Sequence, residues 1–240
     1  GLALAEWTYK TNISDHNRDK FTDTTIRFQE WRLRRMEEAK RFNLKYLSDR
    51  TRRQLSLLTM FAISKDSRIN RQISQLQADM EDIYNTGHTC LRNGSCFALE
   101  PEIINIMSYS RDPDLLQEVW VEWRNKVGPN IKQHYTEFID LLNAGALENG
   151  YADYSQYWKQ ELFYGTPDLD KIVDDLWANI RPLYLQLHAY VRRKLRHFYG
   201  SSVVGNDGTI PAQLLGNMWA QHWSTILDIV NAFPERSEER

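Results

Sequence analysis

Charge of one sign, glycine, proline, cysteine and long apolar runs are all in short supply in this sequence. Its 240 residues carry 30 Lys and Arg against 32 Asp and Glu, a formal net charge of -2. That balance excludes disorder driven by charge excess and the basic footprint of a nucleic-acid-binding protein. Eleven glycines and seven prolines are fewer than the usual globular share, and residues 1–100 contain no proline. No apolar run approaches the ~20 residues of a membrane span; the densest, Leu55 to Ile63, is far too short. A soluble chain with no membrane segment and no nucleic-acid partner is expected. Also missing are His-Glu-x-x-His, Gly-x-Ser-x-Gly, a Walker loop and a Gly-rich dinucleotide turn. Of the six histidines, His188 and His197 share one predicted helix but lie on different faces of it. No catalytic residue and no metal ligand is assigned within these 240 residues.

What is abundant is aromatic: 8 Trp and 12 Tyr point to an aromatic-packed, helical protein. Apolar side chains recur at steps of three and four over Ile69, Ile73, Leu76, Met80, Ile83 and over Leu115, Val119, Trp120, Trp123, Val127, the signature of a helix with one buried face. From Pro167 the same spacing runs through Leu169, Ile172, Leu176, Ile180, Leu183, Leu187, Val191 and Leu195. This predicts one long amphipathic helix, bent near Pro182 and ended by Gly200. Glu100-Pro101, Asp112-Pro113 and Thr166-Pro167 read as helix openings, with proline at the first turn. Residues 17–47 are helix-like with a mixed-charge, solvated face that includes Arg32, Arg34, Arg35, Lys40, Arg41 and Lys45. The basic run Arg192 to His197 suits a helix C-terminus, where cations complement the dipole. Strand signals are nearly absent; only 201–210, with Gly205-Asn-Asp-Gly208, reads as a short hairpin or loop. No repeat or linker is visible, so the expectation is one contiguous, all-α unit.

Cys90 and Cys96 enclose Leu-Arg-Asn-Gly-Ser. Without companion ligands they are no zinc knuckle, which leaves a local disulfide or two inert thiols. The sequon at Asn93 lies inside that loop and a second stands at Asn12; both are candidate glycosylation sites, and the pairing of loop and sequon fits a secreted or extracellular protein. In Gly216-Asn-Met-Trp-Ala-Gln-His-Trp223 two tryptophans flank amide and imidazole groups. Their spacing fits a ligand-pocket wall and a core helix equally.

The strings Leu183-Tyr-Leu-Gln-Leu-His-Ala-Tyr-Val-Arg-Arg-Lys-Leu-Arg-His-Phe-Tyr-Gly200 and Ile210-Pro-Ala-Gln-Leu-Leu-Gly-Asn-Met-Trp-Ala-Gln-His-Trp223 resemble the angiotensin-converting enzyme family of zinc peptidyl-dipeptidases. Cys90-Leu-Arg-Asn-Gly-Ser-Cys96, Leu99-Glu-Pro101 and Trp123-Arg-Asn-Lys-Val-Gly128 are similar to the same family in the same order. The likeness runs from about Trp7 to Pro234, and residues 235–240 diverge from it.

The resemblance implies the N-terminal portion of a two-lobed, all-α ellipsoid with a central substrate channel, residues 1–50 forming lid-like helices. It implies a secreted hydrolase that removes C-terminal dipeptides from oligopeptides, with zinc and chloride as cofactors. The zinc ligands, His-Glu-x-x-His and a downstream Glu, are expected beyond this chain, so the 240 residues alone are expected to be inactive. A non-catalytic peptide-binding or regulatory relative stays open beside the enzyme. By position, Gln221 is similar to the family's glutamine that binds the substrate C-terminal carboxylate. Arg124 resembles a buried chloride ligand, and Tyr164 the tyrosine of a second chloride site. The stretch from Tyr151 to Pro167 is two residues longer than in the family pattern, which leaves Tyr157 and Phe163 as alternatives to Tyr164. His222 stands where the family often has a small hydroxyl residue.

Overall fold

Helices form where the sequence repeats apolar side chains at helical spacing and where a short polar side chain satisfies the first free backbone N–H groups. Ser14 Oγ accepts from Asn17 N (3.3 Å), Ser48 Oγ from Thr51 N (3.2 Å), Asp153 Oδ1 from Gln156 N (2.7 Å) and Asp112 Oδ1 from Asp114 N (3.0 Å). Each of these caps opens a helix. The structure, a computed structural model, describes residues 1–163 and 165–233. In chain order its elements are α1 (Leu2–Thr11), α2 (Asp15–Ala39), α3 (Asp49–Thr59), α4 (Ser67–Thr86), β1 (His88–Cys90), β2 (Cys96–Ala98), α5 (Ile104–Tyr109), α6 (Pro113–Glu148), α7 (Tyr154–Leu162), α8 (Leu169–Tyr199) and α9 (Leu227–Val230). The fold is all-α, with one two-stranded ribbon among the described residues.

Two compact units are built from this order. The first comprises Gly1–Tyr84 and Asn130–Lys171. Here Tyr9 of α1 is buried against Phe21, with ring centroids 5.8 Å apart, and its hydroxyl donates to Asp82 Oδ1 of α4 at 2.5 Å. Burial, reinforced by the neighbouring carboxylate, pushes this phenol well above its ordinary pKa. Arg18 of α2 donates to the other oxygen of Asp82 at 3.2 Å, so one carboxylate joins three helices. At the C-terminal end of α6, Glu148 accepts from Ser64 Oγ (2.9 Å) and Lys65 N (2.9 Å), while Asn149 Nδ2 donates to Ile63 O (2.9 Å). That close approach of α6 to residues 61–65 requires Gly145, where a Cβ would lie 2.6 Å from Ala62 O and 3.0 Å from Ser64 N.

The second unit comprises Asn85–Pro129 and the chain from Ile172. Its core includes Ile103, Met107, Leu116, Val119, Trp123, Leu195, Leu214, Met218 and Ile226, all buried. β1 and β2 pair antiparallel with Cys90 opposite Cys96, and the two are joined as a disulfide. The oxidised alternative for the cysteines is therefore the one the structure adopts.

Several sequence expectations need amendment. Residues 201–210 form turns and no strand, and the ribbon lies at 88–98 instead. The loop is held from α8: Arg196 Nη1 donates to Val204 O (2.6 Å) and Gly205 O (2.8 Å), and Arg192 donates to Gly205 O and to Thr209 O. These bonds take up the carbonyls that a hairpin would have paired. α8 ends before Gly200, whose φ of +87° only glycine adopts freely. It begins at Leu169, after a turn in which Asp168 has φ +53°, so Thr166-Pro167 precedes the helix without capping it. The greatest departure is burial. Val191 and Leu195 are buried as their spacing predicts, whereas Ile172, Leu176, Ile180, Leu183 and Leu187 on the same stripe are 43–69% exposed.

The close approach at Gly145 makes a paired prediction. Gly145→Ala adds a methyl group against main-chain atoms that cannot swing away, and should lower unfolding stability by about 1–3 kcal/mol. Gly128→Ala, in the same helix with no atom beyond its chain neighbours and the helix's own backbone within 4 Å of its Cβ position, should cost less, because the methyl group meets only the ring of Pro129 that follows it and gains about 0.5–1 kcal/mol of helix propensity in return. Denaturant titration of both variants checks that order.

Candidate functional site

Residues 214–228 of the second unit carry the tryptophan-rich string, and turn chemistry shapes them. Gly216 has φ +87°, and a Cβ there would collide with Thr225 Oγ1. The same Thr225 hydroxyl donates to Gly216 O at 2.7 Å, closing a loop. Asn217 Oδ1 accepts from Trp219 N (2.9 Å) and Gln221 N (3.2 Å). A side chain that takes two N–H groups of the following turn competes directly with helix. Ala220 follows with φ +56°, and Trp223 Nε1 donates back to Ala220 O at 3.0 Å. Residues 216–223 are therefore a chain of turns, and not the core helix that was one of the two readings their Trp219–Trp223 spacing allowed.

Two arginines pin this loop. Arg124, half-buried on α6, stacks over the Trp120 ring with its guanidinium carbon 3.5 Å from the centroid. Its Nη2 donates to Met218 O at 2.6 Å, and its Nη1 donates to Trp120 O at 3.1 Å and lies 3.1 Å from Met218 Sδ. Met218 itself is fully buried. Arg111 donates to Thr225 O (2.7 Å), to Ser108 O and Ser110 O, and to both oxygens of Asp228 (3.0 and 3.1 Å). Hydrogen bonding from Arg111 holds the Asp228 carboxyl below the ordinary carboxylate range. Because its folded-state pKa is lowered, the stabilisation this pair gives is present above the unfolded pKa and fades as pH falls through the folded one.

Gln221 lies at the surface of this loop, its main chain fixed by Asn217 and its side chain exposed beside exposed His222. Trp219 is 42% exposed and Trp223 half-buried, so neither encloses the amide. The structure thus brings Arg124 and the Gln221 loop together through Met218. Tyr164 lies outside the described residues, as does the tail at 235–240. Of its alternatives, Tyr157 is buried in the first unit against Tyr151 and Tyr154, with its phenol pushed upward by burial and by Glu161. Phe163 is exposed. Asn93 and Asn12 are both exposed, Asn93 accepting from Ser95 N across the disulfide-closed turn.

For the expected cofactors the donor sets differ. Among the described residues no three His, Cys, Asp or Glu side chains come together to hold a metal ion, so these residues do not fit a zinc site. An anion fits better: beside the Arg124 guanidinium, the buried Trp120 Nε1 has no hydrogen-bond acceptor among the described residues. No helix of the described residues is long and apolar enough to cross a membrane.

A family model described as angiotensin-converting enzyme matches residues 2–240. The chain belongs to the angiotensin-converting enzyme family. It is 35% identical to angiotensin-converting enzyme of Bos taurus over 97% of this chain and 18% of that protein. It is 38% identical to angiotensin-converting enzyme of Theromyzon tessulatum over 96% of this chain and 38% of that protein. To the angiotensin-converting enzyme-like protein Ace3 of Mus musculus it is 34% identical, over 98% of this chain and 32% of that protein. The chain therefore spans well under half the length of the curated relatives it matches.

Within this family member, Arg111 and Asn217 are the residues that reading the sequence missed. Gly216-Asn217 is a turn dipeptide, and weighing it against the tryptophan spacing would have placed a loop here. Arg111 carries no local signal for this role, because the partners through which it holds the loop lie 114 and 117 residues away. Arg124→Gln should lower unfolding stability by about 1.5–3 kcal/mol, the size of a charge-assisted hydrogen bond. Hydrogen exchange of residues 218–221 should accelerate with it, and protection equal to the unmodified protein would deny Arg124 its hold on the loop.

Proposed function

We propose that these residues form the N-terminal part of a secreted zinc peptidyl-dipeptidase that removes dipeptides from the C-terminus of oligopeptides. The observation that carries this reading is the family match over residues 2–240. In it, the zinc ligands lie outside these 240 residues. The exposed apolar stripe of α8 supports the same reading, since Ile172, Leu176, Ile180, Leu183 and Leu187 form a face that stays in water unless further polypeptide covers it.

Gln221 in this reading offers a neutral amide to the substrate's terminal carboxylate. Its main-chain N–H is already engaged by Asn217, and its exposed side chain is the part that reaches the carboxylate. Arg124 and Trp120 Nε1 would supply donors to chloride, and a permanently charged guanidinium is suited to an anion in a half-buried place. Residues 1–50 would serve as a lid, and Asn12 and Asn93 as glycan acceptors.

The test is reconstitution. The 240-residue chain alone should hydrolyse no blocked tripeptide, and joining it to the part of the Theromyzon tessulatum enzyme that it does not match should give chelator-sensitive release of dipeptide. A folded hybrid without hydrolysis would favour the non-catalytic alternative. In an active hybrid, Gln221→Leu should weaken kcat/KM for free-acid peptides by about ten- to a hundredfold while sparing C-terminally amidated ones. Arg124→Gln should reduce the dependence of the rate on chloride.

A further inference from the structure

One side chain grips the main chain on both sides of Gln221. Asn217 Oδ1 accepts from Gln221 N at 3.2 Å, and Asn217 Nδ2 donates to His222 O at 3.4 Å. The same oxygen takes Trp219 N at 2.9 Å. Immediately before Gln221, Ala220 is held at φ +56°, a left-handed conformation that is unfavourable for a residue with a Cβ. Both of its peptide groups are engaged: Ala220 N donates to Asn217 O at 3.3 Å, and Ala220 O accepts from Trp223 Nε1 at 3.0 Å.

Thr225 closes the base of the loop. Its hydroxyl donates to the carbonyl of buried Gly216 at 2.7 Å, and its own carbonyl accepts from Arg111 Nη2 at 2.7 Å. The bonds of Asn217 and Thr225 thus run from the Arg111 anchor, through Gly216, to the residues flanking Gln221, whose side chain is left exposed.

We propose that Asn217 and Thr225 are positioning residues that set selectivity for a free C-terminal carboxylate. This rests on the reading of Gln221 as the group that binds that carboxylate. A glutamine on an unbraced surface loop would have to order its main chain when the substrate arrives, and that entropy would be lost from the affinity. Here the main chain beside Gln221 is already hydrogen-bonded on both sides, so less of that cost falls at binding. The strain at Ala220 points the same way. A non-glycine residue stays at positive φ only where its neighbours over-determine it, and such residues recur at ligand clamps. A turn that merely reversed the chain would be met by glycine.

Steady-state kinetics of the hybrid enzyme, with paired free-acid and C-terminally amidated peptides, tests this. N217A should raise KM for the free-acid peptide about tenfold, with kcat changed less than about twofold, because the lost binding is remote from the scissile bond. KM for the amidated peptide should not move. N217D, which keeps the acceptor oxygen, should regain most of the loss. T225V keeps the branched shape, deletes the bond to Gly216 O and should raise the same KM about threefold; it decides the matter if N217A does not fold. Equal losses for free-acid and amidated peptides overturn the proposal, since a merely structural role weakens both alike. So does an unchanged KM in N217A and T225V while Q221L still loses the free-acid preference. If Q221L keeps that preference, or the unmodified hybrid hydrolyses neither peptide, the reading of Gln221 fails and the proposal falls with it.

Discussion

Guanidinium donors directed at main-chain carbonyls hold the irregular part of the second unit in place. Between the end of α8 and the start of α9 the chain makes no regular ladder, and its carbonyl groups need partners wherever water is excluded. Arg196 and Arg192 supply Val204, Gly205 and Thr209; Arg124 supplies Met218; Arg111 supplies Thr225. All four arginines sit on helices or at a helix junction. Regular structure therefore provides fixed points from which long, multi-donor side chains reach into the loops. Replacing any of them by lysine would keep the charge and lose the second and third donor directions on which the arrangement depends.

The same logic explains which parts of the sequence were legible. α4, α6 and α8 announce themselves because one side of each repeats at helical spacing, and Asp112-Pro113 marks the start of α6 through a cap that the structure contains. At the Gln221 loop the sequence left a pocket wall and a core helix equally open, because Trp219 and Trp223, four apart, satisfy a helical rule while Asn217 and Ala220 break it locally. Two backbone N–H groups captured by one asparagine outweigh an i, i+4 aromatic pair, which contributes only a few tenths of a kcal/mol (~0.2–0.5) in an isolated helix. The Arg111 clamp was invisible because it closes a separation of 117 residues, and no periodicity reports contacts of that range.

Burial along α8 shows a different limit. Spacing says that Leu176, Ile180 and Leu183 share a face with Val191 and Leu195, and the helix confirms the shared face. It does not say what lies opposite. Val191 and Leu195 meet the core of the second unit and vanish from water, whereas the residues one to four turns earlier remain exposed. An apolar stripe is thus a statement about what a helix requires, and the partner must be read elsewhere. The relatives' greater length is where the proposed enzyme reading finds it.

In that reading the two carried-over residues are not independent. Arg124 gives one donor to Met218 O, three positions before Gln221, and another to the neighbourhood of Met218 Sδ. A chloride ion taken up beside Trp120 Nε1 would draw on the same guanidinium, and a hydrogen bond shared between two acceptors weakens toward each. Anion binding would then loosen or shift the Met218 carbonyl, and through it the loop that Asn217 braces from the other side. The route of this coupling is short: one side chain, one carbonyl and three residues of main chain. An anion effect on recognition of a substrate carboxylate would then need no movement of α6, because the link from α6 to the loop is the Arg124 side chain and the Met218 carbonyl that it holds.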